Sequence, residues 1–71
     1  MSKFTYGSSV LVRKDAPEHL RPGQQASVFG VFVPQDRVGS HFDQFAPGVV
    51  YSIEYADGEA ADIHEDFLVS L

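Results

Sequence analysis

The sequence predicts an all-β domain of five short strands, and three observations support this fold class. An alternating run from Tyr51 to Tyr55 leads into Asp57-Gly58 and a second short run, which is the pattern of a β-hairpin, because glycine and aspartate tolerate the positive φ of a tight turn. The other apolar runs are short and are separated by proline and glycine. No stretch has the i, i+3, i+4 spacing of an amphipathic helix. We therefore expect a small five-stranded barrel, since closure removes the exposed edges of a sheet.

The first two strands are predicted in the first half of the chain. Residues 10–12 are an apolar run typical of a strand, and residues 25–33 predict the longest strand. In this second strand apolar side chains occupy both alternating rows, so we expect it to bend, with a bend or bulge at Gly30. Residues 14–23 contain two prolines and a glycine, which predicts a loop with Leu20 folded back as its anchor.

The hairpin supplies the next two strands, and a short strand ends the chain. Residues 65–67 predict a single turn, and residues 68–71 predict the last strand. Alternate side chains of a strand point to opposite faces, so one row of the hairpin should fill the core. This inner row consists of Tyr51, Ile53, Tyr55 and Ile63.

Residues 34–48 form a long segment for which no regular secondary structure is predicted. Prolines lie near both of its ends, and glycines occur at positions 39 and 48. About fifteen residues is long for a loop of so small a domain, and such loops are usually functional or mobile. The segment nevertheless contains Val38, His41, Phe42 and Phe45. Aromatic side chains in a loop either form a lid on the core or contact a partner, and both interpretations stay open.

The composition is that of one small globular domain spanning residues 1–71. The chain is 44% hydrophobic and 21% charged, and it has no cysteine, so neither disulfides nor thiolate-bound metal can stabilise its core. The start of the chain lacks the apolar core of a signal peptide, and no run approaches the ~18 apolar residues of a membrane span. We expect a cytoplasmic protein without membrane association, either monomeric or a weak homodimer.

Charge is distributed unevenly along the chain. Residues 1–37 hold five basic and three acidic side chains, a net charge of +2, whereas residues 38–71 hold seven acidic side chains and no Lys or Arg, a net charge of −7. An acidic surface repels phosphate backbones and attracts basic partners, so we do not expect nucleic acid as the main ligand. The alternative interpretation is a solvated acidic surface that keeps a small protein soluble.

No pattern in the sequence predicts catalysis or a cofactor. The chain has no Gly-x-Ser-x-Gly nucleophile motif and no phosphate-binding glycine loop. A barrel of this size rarely encloses the cleft that a pair of catalytic carboxylates requires. Histidine and acids occur together at His41-x-Asp43 and within residues 62–66, but nothing in their spacing requires three or four ligands to converge on one zinc ion. We therefore predict no enzyme activity, no cofactor and no metal site.

An aromatic cage for a methylated ammonium group is another alternative. Such cages hold the cation between ring faces beside an acid, and Tyr51, Tyr55, Phe42 and Phe45 are residues of the required type. Tyr51 and Tyr55, however, share their row with Ile53. We expect the two tyrosines in the core.

The order of these motifs resembles the SH3-like barrels of the KOW and Tudor-like kind. Those domains open with a strand, pass a Pro-Gly loop into a bent strand, and close with a hairpin and a short terminal strand. The matching segments are Val10-x-Val12, Leu20-Arg21-Pro22-Gly23, Ala26-x-Val28, Tyr51-x-Ile53-Glu54-Tyr55-x-Asp57-Gly58 and Glu65-x-x-Leu68. Residues 34–48 look like an insertion. In size, charge and fold, the chain is also loosely similar to the small acidic immunity and accessory proteins encoded beside bacterial toxins.

These observations predict a non-catalytic protein-binding module that docks a basic protein partner. The second resemblance implies one form of it, an immunity protein that neutralises a bacterial toxin. Aromatic side chains of the long loop would anchor the partner, and the acids would orient it. The alternative function is a KOW-like nucleic-acid- or translation-associated domain that uses the basic residues of the first loop. The residues predicted to contact the partner are Arg37, His41, Phe42, Asp43, Phe45, Glu54, Asp57, Glu59 and Asp62.

Overall fold

Five strands form a single antiparallel sheet in the computed structural model, which describes residues 3–71. The strands are β1 (Ser9–Val12), β2 (Gln25–Phe32), β3 (Val50–Tyr55), β4 (Ala60–His64) and β5 (Leu68–Ser70). They lie in the order β4-β3-β2-β1-β5, and each neighbouring pair is antiparallel. The all-β class and the five predicted strands are therefore confirmed.

The predicted closure of the sheet into a barrel was wrong. Within residues 3–71, β4 and β5 are the two edges of the sheet, and no hydrogen-bonded ladder joins them. The physical reason lies in the short last strand: with three residues, β5 offers few backbone groups on its second edge, the one not paired with β1, to hold β4. Short edge strands of this kind limit edge-to-edge association without closure.

Short 3₁₀ turns connect the strands. They span Glu18–Leu20, Pro34–Asp36, Ser40–Gln44 and Glu65–Phe67. Leu20 is buried, which confirms it as the anchor of the first loop, and the turn before β5 is also confirmed. Residues 34–48, for which no regular structure was predicted, contain two of the four turns. None of the helical turns in residues 3–71 has the length and apolar composition of a membrane-crossing helix.

A β-bulge divides β2 into two halves, which confirms the bend or bulge predicted at Gly30. Val28 pairs with Ile53 and Gly30 pairs with Ser52, so Phe29 is the extra residue. Gly30 is needed here, because a Cβ at this position would lie 2.9 Å from the Cβ of Ser52. Before the bulge the even-numbered residues of β2 face the core, and after it Val31 packs against the core instead.

The main core lies on one face of the sheet. Its buried side chains are Phe4, Val10, Val12, Ala16, Leu20, Ala26, Val28, Val49, Tyr51, Ile53, Tyr55, Ile63 and Leu68. The inner row predicted for the hairpin is therefore confirmed, and with it the interpretation of both tyrosines as core residues. The Tyr51 hydroxyl accepts hydrogen bonds from the backbone N–H groups of Lys3 (2.9 Å) and Phe4 (3.1 Å), which fixes the N-terminal segment against β3.

The β3–β4 hairpin closes through Gly58, whose φ is +90°. The Gly58 N–H donates to the Tyr55 carbonyl at 3.0 Å, and the Tyr55 N–H donates to the Glu59 carbonyl at 2.8 Å. Only the glycine of the predicted Asp57-Gly58 pair takes a positive φ. The aspartate instead uses its side chain, which accepts a hydrogen bond from the Glu59 N–H at 3.1 Å.

Candidate functional site

The candidate site lies on the outer face of the sheet, which is the face opposite the main core. Five side chains of β2, β3 and β4 share this face because they pair with one another in the two ladders: Phe32, Val50, Ser52, Asp62 and His64. We call these five residues the platform. Val50, Ser52 and His64 are buried although they point away from the main core. Another part of the chain must therefore cover them, and residues 34–48, here called the covering loop, do so.

Arg37 holds the covering loop together from inside. Its Nη1 donates to the carbonyls of Ala46 (2.7 Å) and Gly48 (2.9 Å), and its Nη2 donates to those of Phe42 (2.8 Å) and Phe45 (3.0 Å). A planar guanidinium suits this task because it presents several N–H donors in a fixed fork. The loop is thus an ordered unit built around one cation, although it has few regular hydrogen bonds of its own.

Three contacts attach the covering loop to the platform. The ring of Phe42 lies 5.1 Å from that of Phe32, measured between centroids. His41 Nε2 lies 2.8 Å from Asp62 Oδ2, and His64 Nε2 lies 2.9 Å from the Pro47 carbonyl oxygen. The contacts reach β2 and β4, so the loop crosses the three neighbouring strands β2, β3 and β4.

The hydrogen-bond partners of His64 fix its tautomer. The Asp66 N–H can only donate, so Nδ1 accepts this bond at 3.0 Å, and the Pro47 carbonyl can only accept, so Nε2 carries the hydrogen. Beside it, Glu65 and Val49 bond twice: the Val49 N–H donates to Glu65 Oε2 at 3.1 Å, and the Glu65 N–H donates to the Val49 carbonyl at 2.9 Å. The C-terminal end of the covering loop is therefore tied to the end of β4.

Phe42 and Phe45 are half-buried in the covering loop and lie outside the main core. The ring of His41 packs edge-on against both, with centroid distances of 5.1 Å to Phe42 and 5.8 Å to Phe45. Together with Asp43, the two phenylalanines line a concavity with a volume of about 400 Å³. The loop is thus a lid, but on the outer face of the sheet and not on the core. It leaves part of each aromatic ring open to contact.

Most of the side chains predicted to contact a partner gather on this face. His41, Phe42, Asp43 and Phe45 lie on the covering loop, and Asp62 belongs to the platform. Glu54 is the next outward residue after Ser52 along β3, so the exposed carboxylate of Glu54 borders the covered area. Asp57 and Glu59 lie apart, at the hairpin turn. The role of these residues in binding stays a prediction.

Other residues that build the face were not predicted from the sequence. Phe32 and His64 contact the loop directly, Gly48 approaches His64, and Gln44 bonds to His41. One signal was available: the bulge in β2 exchanges the two rows of its side chains, which leaves the Phe32 ring on the outer face. Arg37 is one of the residues predicted to contact a partner, but in the structure it donates four hydrogen bonds to carbonyl groups of the covering loop.

Ser52, Asp62 and His41 form a hydrogen-bonded chain. The Ser52 hydroxyl donates to Asp62 Oδ1 at 2.6 Å, and His41 Nε2 lies near the other carboxylate oxygen. In a nucleophilic triad the imidazole must contact the hydroxyl, but here the carboxylate lies between them. The chain therefore orients Asp62 and does not activate the serine. Within residues 3–71, no three histidine or acidic side chains come close enough together to hold a metal ion.

A second polar cluster joins the first loop to the hairpin turn. The Arg21 guanidinium lies 4.5 Å from the centroid of the Tyr55 ring, and its Nη1 lies 2.9 Å from Asp57 Oδ2. Arg21 has a φ of +60°, the one positive value among the non-glycine residues of 3–71. The Tyr55 hydroxyl donates to the Leu20 carbonyl at 2.8 Å, and burial raises the pKa of this hydroxyl.

The Asp57 carboxylate provides a prediction about pH. The hydrogen bond from the Glu59 N–H and then the bond from Arg21 hold the pKa of Asp57 below its ordinary value of 3.8. A lowered pKa means that the charged form is favoured in the folded protein, so this contribution to stability is present above pH 3.8 and is lost as the pH falls through the folded pKa. We expect an NMR titration of Arg21→Met to show a pKa for Asp57 that rises part of the way towards 3.8, because the backbone bond remains. An unchanged pKa would contradict the contribution of Arg21.

All three arginines of the chain are engaged by its own groups. Arg13 bonds to Asp15, Arg21 bonds to Asp57, and Arg37 is directed into the covering loop. By contrast, Asp43, Glu54 and Glu59 are exposed, and no hydrogen bond or ion pair within residues 3–71 engages their carboxylates. The outer face and the hairpin turn therefore present exposed carboxylates, and on the outer face Asp43 shares the concavity of the two phenylalanines with Arg37. No protein-family model, no curated protein and no solved structure matches this chain.

Proposed function

We propose that this protein is a non-catalytic binding module, built on an SH3-like sheet, that docks a basic protein partner on its outer face. A toxin that the protein neutralises is the partner class to test first. The strand order β4-β3-β2-β1-β5 and the bent second strand support the SH3-like part of the proposal.

The observation that carries the proposal is the arrangement of the covering loop. Arg37 holds the loop in one conformation through four carbonyls, so Phe42 and Phe45 are presented without a large ordering cost on binding. Interface hot spots are typically aromatic side chains in a well-packed centre. The loop supplies such a centre, and its concave surface gives a partner side chain a place to enter.

Charge indicates the chemistry of the partner. Asp43 lines the concavity of the two phenylalanine rings, Glu54 lies further along the same face, on β3, and residues 38–71, which form most of this face, contain no Lys or Arg. Acids around an apolar centre raise the association rate of a basic partner and set its orientation. A nucleic acid is disfavoured for the same reason, since Arg13 and Arg21 are already paired with aspartates.

The test begins with capture of protein partners from the native cell and continues with a purified candidate. We expect Asp43→Lys/Glu54→Lys to slow association and to flatten its dependence on salt, measured by stopped-flow mixing between about 50 and 300 mM salt. The matched control is Asp15→Lys/Glu18→Lys, which makes the same change of charge at two exposed acids of the first loop, outside the covering loop and the platform. If both double variants slow association equally, only the net charge matters and the outer face is not the docking surface.

The aromatic part of the proposal has its own test. We expect Phe45→Ala to weaken binding by about 2 kcal/mol, the loss typical of a hot spot, with a smaller effect on the free energy of unfolding. Phe29→Ala is the control, because Phe29 is a half-exposed phenylalanine at the bulge, outside the covering loop. If Phe45→Ala impairs folding and leaves the affinity of the folded fraction unchanged, Phe45 belongs to loop packing and the anchor role is excluded.

A further inference from the structure

A groove follows the free edge of β4, where the open sheet faces the first loop. Ala61 and Asp62 both line it, although neighbouring residues of a strand point to opposite faces, so the groove must run along the edge itself. Its walls are Leu20 from the first loop and Phe45 from the covering loop. The volume of this part is about 270 Å³. We call it the edge groove.

The edge groove continues beyond this part. A second concavity of about 180 Å³ shares His19, Leu20, Gln44 and Phe45 with the first and extends towards His64 and Phe67. The walls are thus mainly apolar over the length of the groove, and the negative charge in the lining is the carboxylate of Asp62. Among residues 3–71, no Lys or Arg lines either concavity.

The carboxylate of Asp62 is held in place before any ligand arrives. Ser52 donates to one of its oxygens and His41 to the other, so rotation of the carboxylate is restricted. Each carboxylate oxygen can accept two hydrogen bonds, so both keep acceptor capacity. The side chain of Asp62 retains 30% of its accessible surface. A fixed, partly exposed carboxylate beside apolar walls is complementary to a cation carried on an aliphatic stem.

We propose that the edge groove binds an arginine or lysine side chain of the partner, with the aliphatic stem against Leu20 and Phe45 and the cationic group on Asp62. The inference rests on the proposed function and names the partner chemistry that this site recognises. Arginine has the additional advantage of a planar, weakly hydrated group that stacks on aromatic rings, and Phe45 and His41 provide such rings.

The experiment is an NMR titration of the whole chain with blocked tripeptides. The probes are Gly-Arg-Gly, Gly-Lys-Gly and, as the uncharged isostere of the first, Gly-citrulline-Gly. We expect saturable shifts of the amides of Leu20, Gln44, Ala61 and Asp62 with at least one cationic peptide, at a dissociation constant on the order of millimolar, and no saturable shift with citrulline. The stronger of the two cationic peptides identifies the side chain that the groove prefers.

Two variants test the assignment to the edge groove. Asp62→Asn should weaken peptide binding roughly tenfold, since a charge-assisted hydrogen bond is lost, while Ser52 and His41 keep a partner in the amide. Gln44→Lys places a resident cation in the groove and should also block the peptide. The controls are Asp36→Asn and Gln35→Lys, the same changes at exposed residues that do not line the groove.

Three results would overturn the inference: citrulline binding equal to that of arginine, shifts spread over Glu54 and Glu59, or control variants as impaired as the groove variants. The outcome of the peptide titration can be distinguished from the outcome of the test of the proposed function. Capture of a basic partner whose affinity is unaffected by Asp62→Asn would refute the groove and leave the binding module intact. Saturable peptide binding in a protein that captures no basic partner would support the groove and refute the proposed binding module.

Discussion

Replacing Arg37 by methionine is expected to lower the free energy of unfolding by about 2–3 kcal/mol, measured by urea denaturation. The substitution removes the donors for four carbonyl groups of the covering loop while keeping an apolar stem. Some of these carbonyls can turn to water, so the loss is smaller than four full hydrogen bonds. Arg37→Lys should recover little of it, because a compact ammonium group cannot reach across the span that the guanidinium covers.

The control for Arg37 is Arg13→Met, in which an exposed arginine paired with Asp15 is lost. Exposed ion pairs of this kind contribute about 0–1 kcal/mol, so the control should be nearly as stable as the natural chain. Equal stability of Arg37→Met and Arg13→Met would show that the covering loop does not depend on its internal cation.

Gly48→Ala is expected to destabilise the protein by about 3–4 kcal/mol, again measured by urea denaturation. Gly48 has a φ of +129°, and a Cβ at this position would lie 2.6 Å from Glu65 Oε2 and 3.0 Å from His64 Nε2. Alanine therefore pays for the positive φ and also displaces the carboxylate that accepts the Val49 N–H.

Gly39→Ala separates these two costs. Gly39 also has a positive φ, +102°, but a Cβ there meets no atom within 4 Å, so only the backbone strain of about 1–2 kcal/mol should appear. The difference between the two variants measures the close approach of the covering loop to the end of β4. If the variants are equally destabilised, that approach makes no separate contribution.

The local features of the fold were predictable because each is encoded in a few neighbouring residues. Alternation from Tyr51 to Tyr55 and the glycine at position 58 determine the hairpin, and apolar side chains in both rows of β2 indicate the bulge. Leu20 was recognised as an anchor because it is the one large apolar residue in a Pro-Gly loop. In each case a short stretch of sequence is enough to determine the local structure.

The destination of the covering loop was not predictable in the same way. Whether Phe42 meets the main core or the outer face depends on which row of β2 faces outward after the bulge, and a single residue decides this. The environments of Arg37 and Asp62 were equally unpredictable, because the sequence does not indicate whether a charged side chain contacts solvent or polar groups of the protein. The open edge of β4 follows from the short pairing of β5, which propensity does not determine.

The bulge at Phe29 has a consequence for how this fold can change its length. Deleting the extra residue itself would leave the rest of β2 in regular alternation with the same partners on β3. Deleting a residue after the bulge, with the bulge kept, would instead exchange the two rows, so Val31 or Phe32 would change face. Both layers of the domain would lose their fit at once. Changes in length should therefore accumulate at the bulge or in exposed stretches such as residues 38–40, whereas the paired residues of β2 have a fixed count.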